Sequence, residues 1–184
     1  TIARLTGAPV FRIVPMNEYP EKYKECTEAA QKELMDRAAP QIREYPDNDD
    51  YDTLILGYPC WWGTMPMPVW TFLRNTDLSG KKILPFCTNE GSGLGSSIDD
   101  LKRLCPGAEI RSGLSILGAD VKDSEPAILE WLHAENTIRQ RVLPVRLSSP
   151  GLRGSARSWA VPVSCTCGKK TLYQVQSHRV ILLR

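Results

Sequence analysis

Asp52-Thr53-Leu54-Ile55-Leu56-Gly57-Tyr58-Pro59-Cys60-Trp61-Trp62-Gly63-Thr64-Met65-Pro66-Met67-Pro68 is the stretch whose reading decides the fold. Its first half is a near-continuous apolar run that follows an acidic turn. A strand buried on both faces has that pattern; a half-solvated strand alternates instead. Its second half places two adjacent tryptophans, a glycine and a set of prolines directly after the strand. Two neighbouring tryptophans cannot both point into one core, so at least one is expected at the rim as a flat apolar surface. A planar aromatic ligand would stack there. Closure of the sheet end by both rings is the plainer alternative. Gly63 lets the backbone come close to a ligand.

The same reading extends outward. Lys82 to Cys87 is a second buried-type strand, entered through Ser79-Gly80, and Val69 to Leu73 opens a short helix between the two. Upstream, Val10 to Val14 reads as a strand closed by Pro15. Lys22 to Ala38 reads as a helix, with Tyr23, Cys26, Ala30 and Leu34 at helical spacing. Thr1 to Thr6 reads as the end of a helix with Gly7 as its cap, which implies a segment before Thr1. Downstream, Ile98 to Leu104 is a helix capped by Ser96 or Ser97, with Asp99 and Asp100 in its first turn. A strand lies within Ala108 to Leu117. A last helix runs from Pro126 to about Arg141, with Ile128, Trp131, Leu132 and Ile138 on one side.

Strands alternating with helices predict an α/β fold, a doubly wound parallel sheet with helices on both faces. Ligands of such sheets bind beyond the carboxyl ends of the strands, where the strand order reverses. The loops after the two most buried strands are therefore the candidate site. The second, Thr88-Asn89-Glu90-Gly91-Ser92-Gly93-Leu94-Gly95-Ser96-Ser97, alternates glycine with small residues and runs into a helix. Such a loop can offer backbone N–H groups to a polar ligand edge. Alone it is a weak signal, but an aromatic loop and a glycine-rich loop at one end of one sheet reinforce each other.

Composition narrows the class. The 184 residues are 42% apolar, enough for a globular core, and suggest one domain or a domain with a tail. No run approaches the roughly 20 apolar residues of a membrane helix, and no signal peptide is visible, so a cytoplasmic protein without membrane insertion is expected. The six cysteines are scattered, as expected of reduced thiols rather than a disulfide framework. Cys165-Thr166-Cys167 lacks a second cysteine pair and the chain has 2 histidines, so no metal site is expected. All 21 Asp and Glu lie within residues 1–135, together with 14 Lys and Arg; the remaining 49 residues hold 9 Lys and Arg and no acid. That break divides the chain into a body, residues 1–141, and a basic tail, residues 142–184. The tail charge is compatible with an anionic surface or nucleic acid. However, its aromatics are only Trp159 and Tyr173, too few for a stacking platform, and a solvated arm is the expected reading.

Three stretches carry a family resemblance: Tyr58-Pro-Cys-Trp-Trp-Gly-Thr-Met-Pro, Pro85-Phe-Cys-Thr-Asn-Glu-Gly-Ser-Gly-Leu-Gly and Gly113-Leu-Ser-Ile. With Ile2-Ala-Arg-Leu-Thr-Gly-Ala they resemble a bacterial flavodoxin-like family that binds FMN, over roughly residues 1 to 135. The resemblance implies the strand order 2-1-3-4-5 and a flavin ring flanked by the two loops. Carried over, it places Pro59, Cys60, Trp61, Trp62, Gly63 and Thr64 on one side of the ring. It places Thr88, Asn89, Glu90, Gly91 and Gly93 on the other. It implies an electron carrier or an FMN-dependent reductase, served by a redox partner protein, NAD(P)H or a quinone. No catalytic residue stands out, and the acidic body is expected to lower the flavin potential.

The chain departs from the family at its start. Family members open with a central strand and a Ser/Thr-Gly-rich loop that holds the FMN phosphate, and no such segment precedes Thr1. Three readings remain open. The chain is an incomplete or degenerate flavodoxin-like fragment that does not hold FMN. Or it is permuted, with Trp159 to Val163 as the missing strand and Ser164 to Thr171, notably Ser164 and Thr166, as the phosphate loop. Or the tail is a separate binding element. Pro162 counts against the permutation, and Leu172 to Leu183 reads as strand more than helix.

Overall fold

The computed structural model describes residues 1–46, 51–138 and the strand 178–183. The elements follow in the order α1 (Ile2–Thr6), β1 (Val10–Ile13), α2 (Tyr23–Met35), β2 (Thr53–Pro59), α3 (Met67–Arg74), β3 (Lys82–Asn89), α4 (Ser97–Leu104), β4 (Glu109–Ile110), β5 (Leu114–Leu117), a 3-10 turn (Gly118–Asp123), α5 (Glu125–Ala134) and β6 (His178–Leu183). The expected elements are present, with shifted ends. The strand within Ala108 to Leu117 is two short strands, and α5 ends at Ala134, before the expected Arg141. Gly7 is the left-handed cap of α1, at φ 70°, and its N–H donates to the Ala3 carbonyl at 2.8 Å.

The sheet has the order β1-β6-β2-β3, with β4 and β5 both on the outer edge of β3. β2, β3, β4 and β5 run parallel. Leu54, Ile55 and Leu56 are wholly buried, as the apolar run requires, because helices cover both faces. One face packs Leu54, Leu56, Tyr58 and Ile83 against Val69, Phe72 and Leu101. The other packs Ile55, Leu84 and Ile116 against Ile2, Ile128, Trp131 and Leu132. Pro85 falls where Lys82 and Ile83 have finished pairing with β4 and Phe86 has begun pairing with β5. A residue without an N–H thus sits at a break in the ladder. Gly57 is dictated by packing, since a Cβ there would lie 2.2 Å from the Phe86 ring.

The slot between β1 and β2, which the family order gives to its first strand, is filled from the tail by β6. Thr53 pairs with Leu183 and Gly57 with Arg179 on one side; Val10 pairs with Ile181 and Ile13 with His178 on the other. β6 is antiparallel to both neighbours, so the sheet is mixed rather than wholly parallel. Backbone pairing explains the substitution: an antiparallel strand satisfies the N–H and C=O groups of β1 and β2 as fully as a parallel one. The strand lies within the segment read from sequence as Leu172 to Leu183. Trp159 to Val163, the permuted strand of the sequence reading, lies outside the described residues.

Candidate functional site

β2 and β3 end side by side, with Pro59 opposite Thr88, and the Cys60 N–H donates to the Thr88 carbonyl at 2.8 Å. The two loops that leave them are therefore neighbours at the carboxyl end of the sheet, as the fold predicts. They are also bonded to each other. Ser96 donates to the Gly63 carbonyl from its N–H at 2.8 Å and from its Oγ at 3.2 Å, and Ser92 Oγ lies 3.2 Å from Cys60 Sγ. A Cβ on Gly95 would come 2.1 Å from the Gly63 oxygen, so only glycine allows this approach.

Within the first loop, Trp61 and Thr64 exchange both backbone hydrogen bonds, at 2.9 and 3.1 Å, across a two-residue turn. Trp62 and Gly63 at its tip have φ of 52° and 79°. That is the left-handed turn usually built on Asn-Gly, and a tryptophan in it costs about 1–2 kcal/mol. The turn separates the two indoles. Trp61 turns inward, edge-on to Tyr19 with ring centroids 5.0 Å apart. Trp62 stays at the rim, 52% exposed, with Nε1 donating to the Thr27 carbonyl of α2 at 3.0 Å. The rim position expected of one tryptophan is thus that of Trp62.

The glycine-rich loop is organised from beneath. Asn89 Oδ1 accepts from the N–H groups of Gly91 and Gly93 at 2.9 and 3.0 Å, while Nδ2 donates to Ser115 Oγ and the Ile116 carbonyl. Two N–H groups that the sequence reading offered to a ligand are thus held inside the protein. Asn89 is a buried organiser of the loop, whereas Glu90 and Gly91 are exposed. A Cβ at Gly118 would meet Glu90 Oε1 at 2.1 Å, which places the turn after β5 beside the loop. Pro59 and Thr64 are buried, and Cys60 and Thr88 are half-buried. Ser164 and Thr166 lie outside the described residues.

Behind the loops sit groups that sequence reasoning passed over. Tyr19 donates to Glu33; burial, reinforced by Glu33, pushes its phenol above the ordinary range, and burial also raises the Glu33 carboxyl. Asp100, read from sequence only as a first-turn acid, is buried and accepts from Thr64 Oγ1 and Ser96 Oγ. The one hydroxyl proton of Ser96 is shared between the Gly63 carbonyl and Asp100, and Ser96 makes no cap bond to its own helix. No local pattern marks these roles, because each is a contact between distant loops.

Cys26, Cys60, Cys87 and Cys105 are free thiols. Burial pushes Cys87 and Cys105 up to about 11. Both are therefore protonated at neutral pH and closed to alkylation, which needs the thiolate. Iodoacetamide followed by peptide mass spectrometry is expected to leave both unmodified in the folded protein and to label them in urea.

For a flavin the donor set fits in part. A flat ring finds an exposed indole on one side, and Cβ positions on Gly63 and Gly91 would meet nothing within 4 Å. The phosphate is different. In the family order the strand in the β6 slot ends at the site and leads into the phosphate loop. Here β6 begins at that end, beside Gly57 and Ile13, and runs away from it. Among the described residues no helix starts from that slot.

Known proteins share the fold. The chain is similar to a Bacteroides eggerthii protein assigned as a flavoprotein, with 28% identity and TM-score 0.63 over 72% of this chain and 84% of that one. A second such protein, from Bacteroides uniformis, is 23% identical with TM-score 0.62, over 72% and 85% of the two chains. A flavoprotein from Lactobacillus acidophilus, solved in complex with FMN, is more distant, at 18% identity and TM-score 0.48, over 62% and 77%. No curated protein matches the chain. The family model described as Flavodoxin matches residues 1–135, which include both loops and every strand but β6, and the chain belongs to that family.

Proposed function

We propose that the chain is an FMN-binding flavoprotein that transfers electrons, as a carrier or as a reductase linked to NAD(P)H as electron donor or to a quinone as acceptor. The observation that carries the reading is the meeting of two loops at the carboxyl end of β2 and β3. One presents the Trp62 indole and Gly63, and the other presents Gly91, both glycines with open space where a Cβ would stand. FMN supplies the redox chemistry when bound. The residues of this chain bind and orient it. Trp62 offers a stacking face, and Pro59, Cys60, Gly63, Thr64, Thr88, Glu90, Gly91 and Gly93 form the walls, with Asn89 holding the second wall in shape. No helix among the described residues is long and apolar enough to cross a membrane.

Flavin titration tests the reading. FMN fluorescence is expected to be quenched on binding, and replacing Trp61 and Trp62 together by alanine is expected to weaken binding by at least ~1 kcal/mol. Unchanged affinity would remove both tryptophans from the site. Comparison with riboflavin isolates the phosphate, which carries close to two charges and needs several donors. Tighter FMN binding that Ser164→Ala with Thr166→Ala abolishes would assign the donors to that segment. Equal affinity for the two flavins would show a ring site without a phosphate site. No binding of either would leave the degenerate-fragment reading. Oxidation of NADPH by the flavin-loaded protein, with a quinone as acceptor, separates reductase from carrier.

A further inference from the structure

We propose that Asp100 is a positioning residue of the flavin site: its buried carboxylate joins the tryptophan loop to the glycine-rich loop and so sets where Trp62 presents its ring. The proposal rests on the FMN reading for its effect on cofactor binding. Asp100 and Asp99 share the first turn of α4, yet the Asp99 side chain is 86% exposed and that of Asp100 only 9%. A carboxylate is withdrawn from water only where its lone pairs are met. The two oxygens of Asp100 divide that task. Oδ2 accepts from Thr64 Oγ1, on the tryptophan loop, and from Ser96 Oγ at 3.1 Å, at the end of the glycine-rich loop. Oδ1 takes the Arg103 guanidinium, one turn along the helix. One oxygen thus serves the loops and the other the counter-charge.

The tryptophan loop needs such a tie. A large residue held at φ 52° persists only where its surroundings over-determine it. The Trp62 indole is held from α2 through Thr27, and the Gly63 carbonyl from Ser96. Asp100 accepts from both loops at one oxygen, from Thr64 on the tryptophan loop and from Ser96 at the end of the glycine-rich loop. Thr64 closes the two-residue turn by its backbone while its hydroxyl goes to Asp100, so the turn and the tie share a residue.

The test uses the full chain with Asp100→Ala, Asp100→Asn, Thr64→Val and Arg103→Ala. The readouts are FMN affinity, visible circular dichroism of bound FMN, and the indole N–H resonance of Trp62 without flavin, identified by its loss in Trp62→Phe. Asp100→Ala and Thr64→Val are expected to raise the FMN dissociation constant at least about tenfold, to weaken the flavin dichroism and to shift the Trp62 resonance. Asp100→Asn keeps an acceptor and is expected to recover most of the affinity. Arg103→Ala removes the counter-charge and a contact with the Trp70 ring but leaves both loop bonds to Asp100, and its affinity is expected to stay within about threefold of wild type. Wild-type affinity and an unmoved resonance in Asp100→Ala and Thr64→Val overturn the proposal. So does a loss in Arg103→Ala as large as that in Asp100→Ala. If Asp100→Ala does not fold, Thr64→Val decides alone. If the wild type binds no FMN, the functional reading fails, and the Trp62 resonance still decides whether Asp100 positions the loop.

Discussion

Gly95→Ala is expected to cost about 3 kcal/mol of stability and, at the flavin site proposed above, to abolish FMN binding together. Position 95 has φ 53°, a conformation that a Cβ disfavours, and that Cβ would stand 2.1 Å from the Gly63 oxygen. No side chain can move aside to accept it, because the obstacle is the backbone of the strained tryptophan turn. The two loops must separate, and the pair of hydrogen bonds from Ser96 to Gly63 goes with them. Urea unfolding and FMN titration on one preparation check both halves. A variant as stable as wild type that still binds FMN would show that the loops do not need this approach. Gly91→Ala serves as the comparison, since it has a strained φ of 113° but open space around its Cβ.

Ile181→Pro is expected to destabilise the protein by at least about 3 kcal/mol, because it removes an N–H from an interior strand. Ile181 lies between Val10 on one side and Ile55 on the other. Ile181→Val keeps the backbone N–H and is expected to cost far less than the proline. The measurement is the urea midpoint of both variants at matched slope. A proline variant with an unchanged midpoint would show that β6 adds nothing to the sheet.

Most of the body was legible because its signals are local. The runs at Thr53–Pro59 and Lys82–Asn89 are apolar enough to be buried on both faces, and Gly7 caps its helix where the chain turns. The two loops were legible for the same reason, since carboxyl ends of parallel strands gather at one edge. The rest depends on contacts between distant residues. An antiparallel β6 in an interior slot has no marker in His178–Leu183 beyond its strand pattern. The inward turn of Asp100 is set by Thr64, 36 residues away, and the seating of Trp62 by Thr27, 35 away. Asn89 reads from sequence as a ligand contact and not as the clamp on Gly91 and Gly93 that the structure shows, because an amide beside glycines fits a ligand donor equally well.

The placement of β6 bears on how the chain reaches this structure. Val10 waits for Ile181 and Thr53 for Leu183, so the sheet is completed by contacts spanning well over a hundred residues. Closing so long a loop is paid in chain entropy before any pairing rewards it, and topologies of high contact order fold slowly. β2 and β3, linked through α3, can pair early, while among the described residues β1 pairs into the sheet through β6. Until then β1 and the outer side of β2 are open strand edges. An interval of that kind favours pairing between chains, which makes refolding yield fall as protein concentration rises.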